Sequence, residues 1–210
     1  MTIKEEVILA QAKFPSRDQG LRPTCIAFAL AEVNFDAATG VEALSPEYAY
    51  QGAACLTPSW VPGAGVPLDA ALRASSKGQP VESDFPYRAV EPGAPVPAPP
   101  TTFELHGGDV AMLPLDTEFI CAMLRQGRPV GIGLRLTESF YRPIDGLVTF
   151  EAAPLVPAVL HAVAVVGFGW EDGEVHFLIR NSWGRGWGQD GVAWVSATYV
   201  RELALCAFGA

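Results

Sequence analysis

Cys25 lies in the stretch "DQGLRPTCIAFALAEV", six residues after Gln19 and at the start of a predicted helix. Sulfur attacks as a thiolate, and an ordinary thiol with a pKa of about 8.5 is mostly protonated at neutral pH. A helix N-terminus favours negative charge, and an imidazole beside the sulfur would favour it further by becoming imidazolium. The chain has three histidines: His106, His161 and His176. His161 opens the strand-like run "HAVAVVGFG", and "EDGE" then turns into "VHFLIRNSWG". Antiparallel neighbours joined there would return Asn181 close to His161. An asparagine accepts the ring N–H and fixes which nitrogen is basic without adding a charge. Trp183 could shield that bond from water. The Gln19 amide, with the Cys25 backbone N–H, could hold a developing oxyanion.

Taken singly, each residue has a plainer reading. A cysteine on an amphipathic helix is usually packing, His161 suits a satisfied core histidine, Asn181 a turn and Gln19 the surface. His106 and His176 receive no role, and Cys55, Cys121 and Cys206 are expected to be buried packing residues.

The elements that must position these groups change character along the chain. Helical spacing of apolar residues runs from Cys25 to about Ala38, with Gly40 as its cap. "LSPEYAYQGAA" starts another helix, with Ser45 as N-cap and Pro46 in the first turn. "VPLDAALRASSKG" is a third, stopped at Gly78. "EPGAPVPAPPTT" can form neither helix nor inner strand and reads as a surface connection between lobes. After one more helix in "LDTEFICAMLRQG", strands dominate: "RPVGIGLRL", "GLVTF", "LHAVAVVGFGW", "EVHFLIRNSW" and "GVAWV". Helices first and strands second predict an α+β protein.

Composition bounds the partners. Half of the 210 residues are hydrophobic and 18% are charged, as in an ordinary globular chain. The net charge of −9 and the lack of a basic run argue against nucleic acid. No apolar run reaches the roughly 18 residues of a membrane span. The N-terminus carries no recognisable leader, so a cytoplasmic location is expected. The four cysteines have no CxxC spacing, which argues against zinc, and no metal or cofactor is expected.

Three blocks, "DQGLRPTCIAFA", "LHAVAVVGFG" and "IRNSWGRGWGQDGVAWV", resemble the signature blocks of the papain-like cysteine peptidases. "LSPEYAY", "GVPLDAAL", "ESDFPYR" and "GRPVGIGL" are weaker matches between them. The Cys25-to-His161 separation of 136 lies inside the family's spacing of about 130–150, and the 156 to Asn181 lies slightly beyond it. The resemblance implies a two-lobe fold over residues 1–210: a helical lobe of about 15–100 and an antiparallel β-barrel-like lobe of about 101–210. Residues 1–14 would pack on the second lobe, and the active site would lie in the cleft between the lobes. It further implies Cys25 as nucleophile, His161 as general base and acid, Asn181 as its orienter and Gln19 as oxyanion donor. Gly65, Val66, Pro67, Gly133, Val159, Ala162 and Trp183 would contact substrate. Their small or apolar character predicts an apolar side chain at the second residue before the cut, a bulky one because Gly133 leaves room.

The departures shape the expectation as well. Arg22 stands where relatives carry a disulfide-forming cysteine, and Pro23, Thr24 and Ile26 replace the usual Gly, Ser and Trp. Only 24 residues precede Cys25, so the long prosegment of secreted relatives is not expected, and a protein inhibitor or regulatory partner would take its place. The expected reaction is hydrolysis of peptide or protein substrates through a thioester. The alternatives are transpeptidation or deamidation by the same thioester, and peptide binding without cutting.

Overall fold

The computed structural model describes residues 2–35, 43–94, 96–152 and 160–210. In chain order the elements are β1 (Lys4–Ile8), a 3-10 turn (Ala10–Lys13), α1 (Cys25–Val33), α2 (Pro46–Leu56), α3 (Leu68–Ser75), β2 (Ala111–Leu113), α4 (Thr117–Arg125), β3 (Val130–Arg135), α5 (Glu138–Tyr141), β4 (Leu147–Val148), β5 (Leu160–Glu171), β6 (Glu174–Arg180), β7 (Val192–Ser196), α6 (Ala197–Leu203) and β8 (Ala204–Gly209). They divide into two compact units, one of Met1–Asp18 with Met112–Phe208 and one of Gln19–Ala111 with Gly209–Ala210. No helix of the described residues is long and apolar enough to cross a membrane.

In the helical unit, local chemistry sets the element starts. Ser45 Oγ accepts from the Tyr48 N–H at 3.1 Å, satisfying a first-turn donor of α2, and Pro46 follows it without losing a helical bond. α1 is shorter than its sequence suggests: it ends at Val33, with Asn34 as C-cap. Asn34 is drawn into a buried amide chain, donating from Nδ2 to Gln79 Oε1 at 2.7 Å, and Gln79 Nε2 donates to the Ser45 carbonyl at 2.8 Å. The expected cap at Gly40 lies outside the described residues. Gly78 closes α3 with its N–H on the Ser75 carbonyl at 3.0 Å. Its φ of +91°, and the His106 carbonyl oxygen 2.6 Å from where a Cβ would stand, both require glycine there. Ala27, Ala49, Tyr50, Ala54 and Trp60 form one buried cluster of this unit's core.

The strands form one sheet in the order β2-β8-β3-β5-β6-β7-β4, with β1 added antiparallel to β5. The sheet is open rather than closed into a barrel. Its two ends are β2, of three residues, and β4, of two, which are too short to pair across a closing seam. β4 also runs parallel to β7, the exception to the antiparallel pattern expected. β5 is buried along most of its length because both faces are covered. Val163, Val165 and Phe168 join a core with Ile120, Leu124 and Phe177, while Ala164 and Val166 pack with Leu178 on the other face. That is why its sequence reads as a continuous apolar run instead of alternating.

Candidate active site

The imidazole is positioned by a hairpin. β5 and β6 turn at Asp172 and Gly173, whose φ values of 48° and 82° are the left-handed pair that a two-residue hairpin turn needs. Their register places Ala164 opposite Arg180, so Asn181 comes back alongside the start of β5. The Asn181 N–H is held by the Gly191 carbonyl at 3.0 Å. Asn181 Oδ1 accepts the Ser182 N–H at 2.8 Å and lies 2.6 Å from His161 Nε2. Since the Ser182 donor identifies Oδ1 as the acceptor, Nε2 must carry the ring proton. Nδ1 is then the basic nitrogen of the neutral ring. Asn181 Nδ2 has no partner among the described residues.

Aromatic rings surround this pair. Trp183 lies 4.6 Å from the His161 ring, centroid to centroid, and Phe140 lies 5.7 Å away edge-on. Tyr141 stacks on Trp183 at 5.3 Å, and Trp187 Nε1 anchors α5 by donating to the Phe140 carbonyl at 2.7 Å. His161 is 5% exposed. Burial lowers its pKa from 6.5 to about 4, against the opposing effect of the Asn181 bond.

In the helical unit Cys25 is the first residue of α1. Thr24 as N-cap makes no side-chain cap bond, and the first turn holds no acidic residue, so no side-chain anion there offsets the positive helix end. Gln19 is buried and donates from Nε2 to the Arg22 carbonyl at 2.7 Å, which fixes the plane of its amide. Tyr87 pins the same loop, with its hydroxyl 2.8 Å from the Gln19 carbonyl and 2.8 Å from Thr24 Oγ1.

The structure therefore brings His161, Asn181 and Trp183 together in one unit, and Gln19 and Cys25 onto one loop and helix start in the other. Gly65 and Pro67 are exposed and Val66 is half-buried, just ahead of α3, where Pro67 is the N-cap. A Cβ at position 65 would meet nothing nearer than the Pro23 carbonyl oxygen at 3.9 Å. Gly133 pairs with Ala162 on one side and with Cys206 on the other. The space left by the absent side chain at 133 is not vacant: a Cβ there would lie 2.7 Å from Cys206 Sγ. Val159 lies outside the described residues.

All four cysteines are thiols. Cys121 is buried, but Cys55 is exposed at the end of α2 and Cys206 is only half-buried beside Gly133, so neither is the core residue expected. His176, given no role, is buried, which corrects the polar strand face that its alternation along the strand predicts. Sequence reasoning missed Phe140, Tyr141 and Cys206 as neighbours of these groups. It also treated Arg22 only as a substitution. Among the described residues no group of three or more His, Cys, Asp or Glu is placed to hold a metal ion.

A family model described as "Papain family cysteine protease" matches residues 62–206. The chain belongs to the papain family. The matched range contains His161 and Asn181 and begins after Gln19 and Cys25, so those two stand on their own sequence block and on their place before and at the start of α1. Among curated relatives, P34 probable thiol protease of Glycine max is 26% identical over 132 residues, 60% of this chain and 34% of that protein. Thiol protease aleurain of Arabidopsis thaliana is 43% identical over 65 residues, 30% of this chain and 18% of that protein. The chain thus spans about a third or less of the length of these curated relatives. Among solved structures, xylellain, a cysteine protease from Xylella fastidiosa, matches 99% of this chain and 85% of its own with a TM-score of 0.78 at 22% identity. The bromelain protease from Ananas comosus, in complex with the E64 inhibitor, matches 95% and 94% with a TM-score of 0.71 at 19% identity. At these identities the likeness establishes the papain-like α+β fold.

Proposed function

We propose that this papain-family chain hydrolyses peptide bonds, with Cys25 as nucleophile and His161 as its proton partner. The observation that carries the reading is the His161–Asn181 bond, which leaves Nδ1 as the basic nitrogen inside an aromatic enclosure. A helix start is worth about 0.3–1 kcal/mol to an anion, and one pKa unit is about 1.4 kcal/mol. The start of α1 alone therefore lowers a thiol by less than about one unit, and the rest must come from the imidazole. With the ring held near 4 when it titrates by itself, imidazolium forms together with the thiolate, as one coupled pair.

In the reaction the Cys25 thiol gives its proton to His161 Nδ1, and the sulfur bonds to the scissile carbonyl carbon. Gln19 and the Cys25 N–H donate to the resulting oxyanion. Its collapse breaks the C–N bond as Nδ1–H protonates the leaving amine, leaving a thioester. Water then gives a proton to Nδ1 and adds to the thioester, and the acid departs as the sulfur takes the proton back. Gly65, Val66, Pro67, Gly133, Val159, Ala162 and Trp183 are proposed to contact the substrate. With Cys206 filling the space at 133, the apolar side chain accepted is of moderate rather than bulky size.

The test is an epoxide thiol probe followed by a peptide mixture, with products read by mass spectrometry. Labelling confined to Cys25, cleavage into acid and amine, and loss of both in a folded Cys25→Ala variant are expected. Cleavage that persists in Cys25→Ala refutes the nucleophile. Products joined to an added amine would indicate acyl transfer, and binding with no product would indicate a peptide-binding module.

A further inference from the structure

Arg22, three residues before Cys25, is 4% exposed, and of its guanidinium nitrogens Nε has no hydrogen-bond partner among the described residues. Nη1 donates to Glu47 Oε2 at 2.6 Å and to the Arg88 carbonyl, and Nη2 reaches Glu47 Oε1 at 3.3 Å and Glu91 Oε2 at 3.4 Å. The rings of Tyr50 and Tyr87 each lie 4.9 Å from the guanidinium carbon. Glu47 is itself fully buried and accepts further from the Arg88 N–H and Gln51 Nε2, both at 3.3 Å. Withdrawing two such charges from water is costly even when they pair, and an apolar pair of equal volume would often serve stability as well. The expense calls for something besides stability.

What the network touches suggests its use. The Arg22 carbonyl accepts both Gln19 Nε2, at 2.7 Å, and the Thr24 N–H, at 2.9 Å. The position of Arg22 therefore sets the Gln19 amide and the entry to α1. On the opposite side, Glu91 Oε2 lies 3.2 Å from the Tyr50 hydroxyl, which donates to the Ala64 carbonyl at 2.7 Å. Ala64 immediately precedes Gly65. One buried cation thus joins the proposed oxyanion donor to the backbone proposed to read substrate.

We infer that Arg22 is a positioning residue, whose pairing with Glu47 and Glu91 holds the Gln19 amide and the backbone at 64–65 in place for catalysis. The inference rests on the hydrolytic reading above. It separates two properties of the site: hydrolysis needs the Gln19 amide in place, whereas alkylation of Cys25 by a small reagent needs no oxyanion donor.

The experiment uses the full chain with Arg22→Met/Glu47→Leu, which removes both charges together and leaves neither buried alone. Peptide kcat and KM, the rate of Cys25 alkylation by iodoacetamide and a thermal melt are measured, each also in a Gln19→Ala background. The double variant is expected to melt cooperatively, to lose about 10- to 10²-fold in kcat, and to be alkylated at the parent rate. In the Gln19→Ala background the further kcat loss should shrink to about twofold or less, because the amide through which Arg22 acts on turnover is already gone, while a rise in KM that comes through the backbone at 64–65 should persist. Undiminished kcat, an equal loss in both backgrounds, or alkylation falling in step with kcat would each overturn the inference. If the double variant fails to fold, Arg22→Lys is read by the same criteria, since it keeps the charge and loses the two-pronged fork. A parent chain that is alkylated at Cys25 yet cleaves no peptide would instead sink the hydrolytic reading, and the inference with it.

Discussion

Burying His161 should make folding sensitive to acid in a way that one substitution removes. Its imidazole titrates near 4 in the folded chain, chiefly because burial disfavours the cation, and near 6.5 once exposed. The folded-state value is depressed, so the unfolded chain binds the proton first as pH falls. The stability is fully present above about 6.5 and is lost on going down toward 4. At about pH 4.5 the difference in proton affinity amounts to about 2.5 kcal/mol, taking about 1.4 kcal/mol per unit. The measurement is denaturant unfolding at about pH 7.5 and 4.5 for a Cys25→Ala chain, in which no thiolate can hold the ring charged, with and without His161→Leu. Carboxylates contribute equally to both chains, so the difference between the two pH losses isolates the imidazole. The histidine-bearing chain should lose about 2–3 kcal/mol more than the leucine variant. Equal losses would refute the claim that the ring is held neutral by its surroundings.

Three further outcomes follow from the same geometry. Gln19→Ala should lower kcat by roughly 10²–10³ in a chain that still melts cooperatively, and full activity would remove the amide from the mechanism. In the Cys25→Ala chain, Trp183→Ala opens the ring pair to water, so an NMR titration should find the His161 pKa raised from about 4 toward 6.5; an unchanged value would assign the enclosure to Phe140 instead. Gly133→Ala drives a Cβ to 2.7 Å from Cys206 Sγ and should cost about 1–3 kcal/mol in thermal unfolding. Most of that should return when Cys206→Ala is added, and a neutral single variant would show that the sulfur moves aside freely.

Local chemistry was legible in the sequence, and long-range pairing was not. The Ser45–Pro46 start can be read because cap and helix are neighbours. The His161–Asn181 bond can be anticipated because one Asp-Gly turn fixes the return of the chain. α1 stops short of its apolar pattern because Asn34 is claimed by Gln79, 45 residues away, which no periodicity reveals. β8 was missed because Ala204 follows α6 with no Gly or Pro between them, and its role depends on pairing with β3, over seventy positions earlier. A barrel-like lobe was what the family resemblance implied, but closure depends on the lengths of the end strands, and β4 has only two residues. The blocks carrying the family likeness led to the imidazole, its amide and its tryptophan, whereas the Arg22–Glu47 pair departs from that likeness and only coordinates display it.

The loop that carries Cys25 is fastened by charge and hydroxyl, through Arg22, Glu47 and Tyr87, and no sulfur–sulfur bond takes part. Reductants consequently find no bond to break in this fastening. A dose of dithiothreitol that regenerates an oxidised Cys25 leaves the fastening untouched, so recovery of the sulfur and loosening of its support are decoupled. Extreme pH is where such a fastening would give way, whereas its burial shields it from salt.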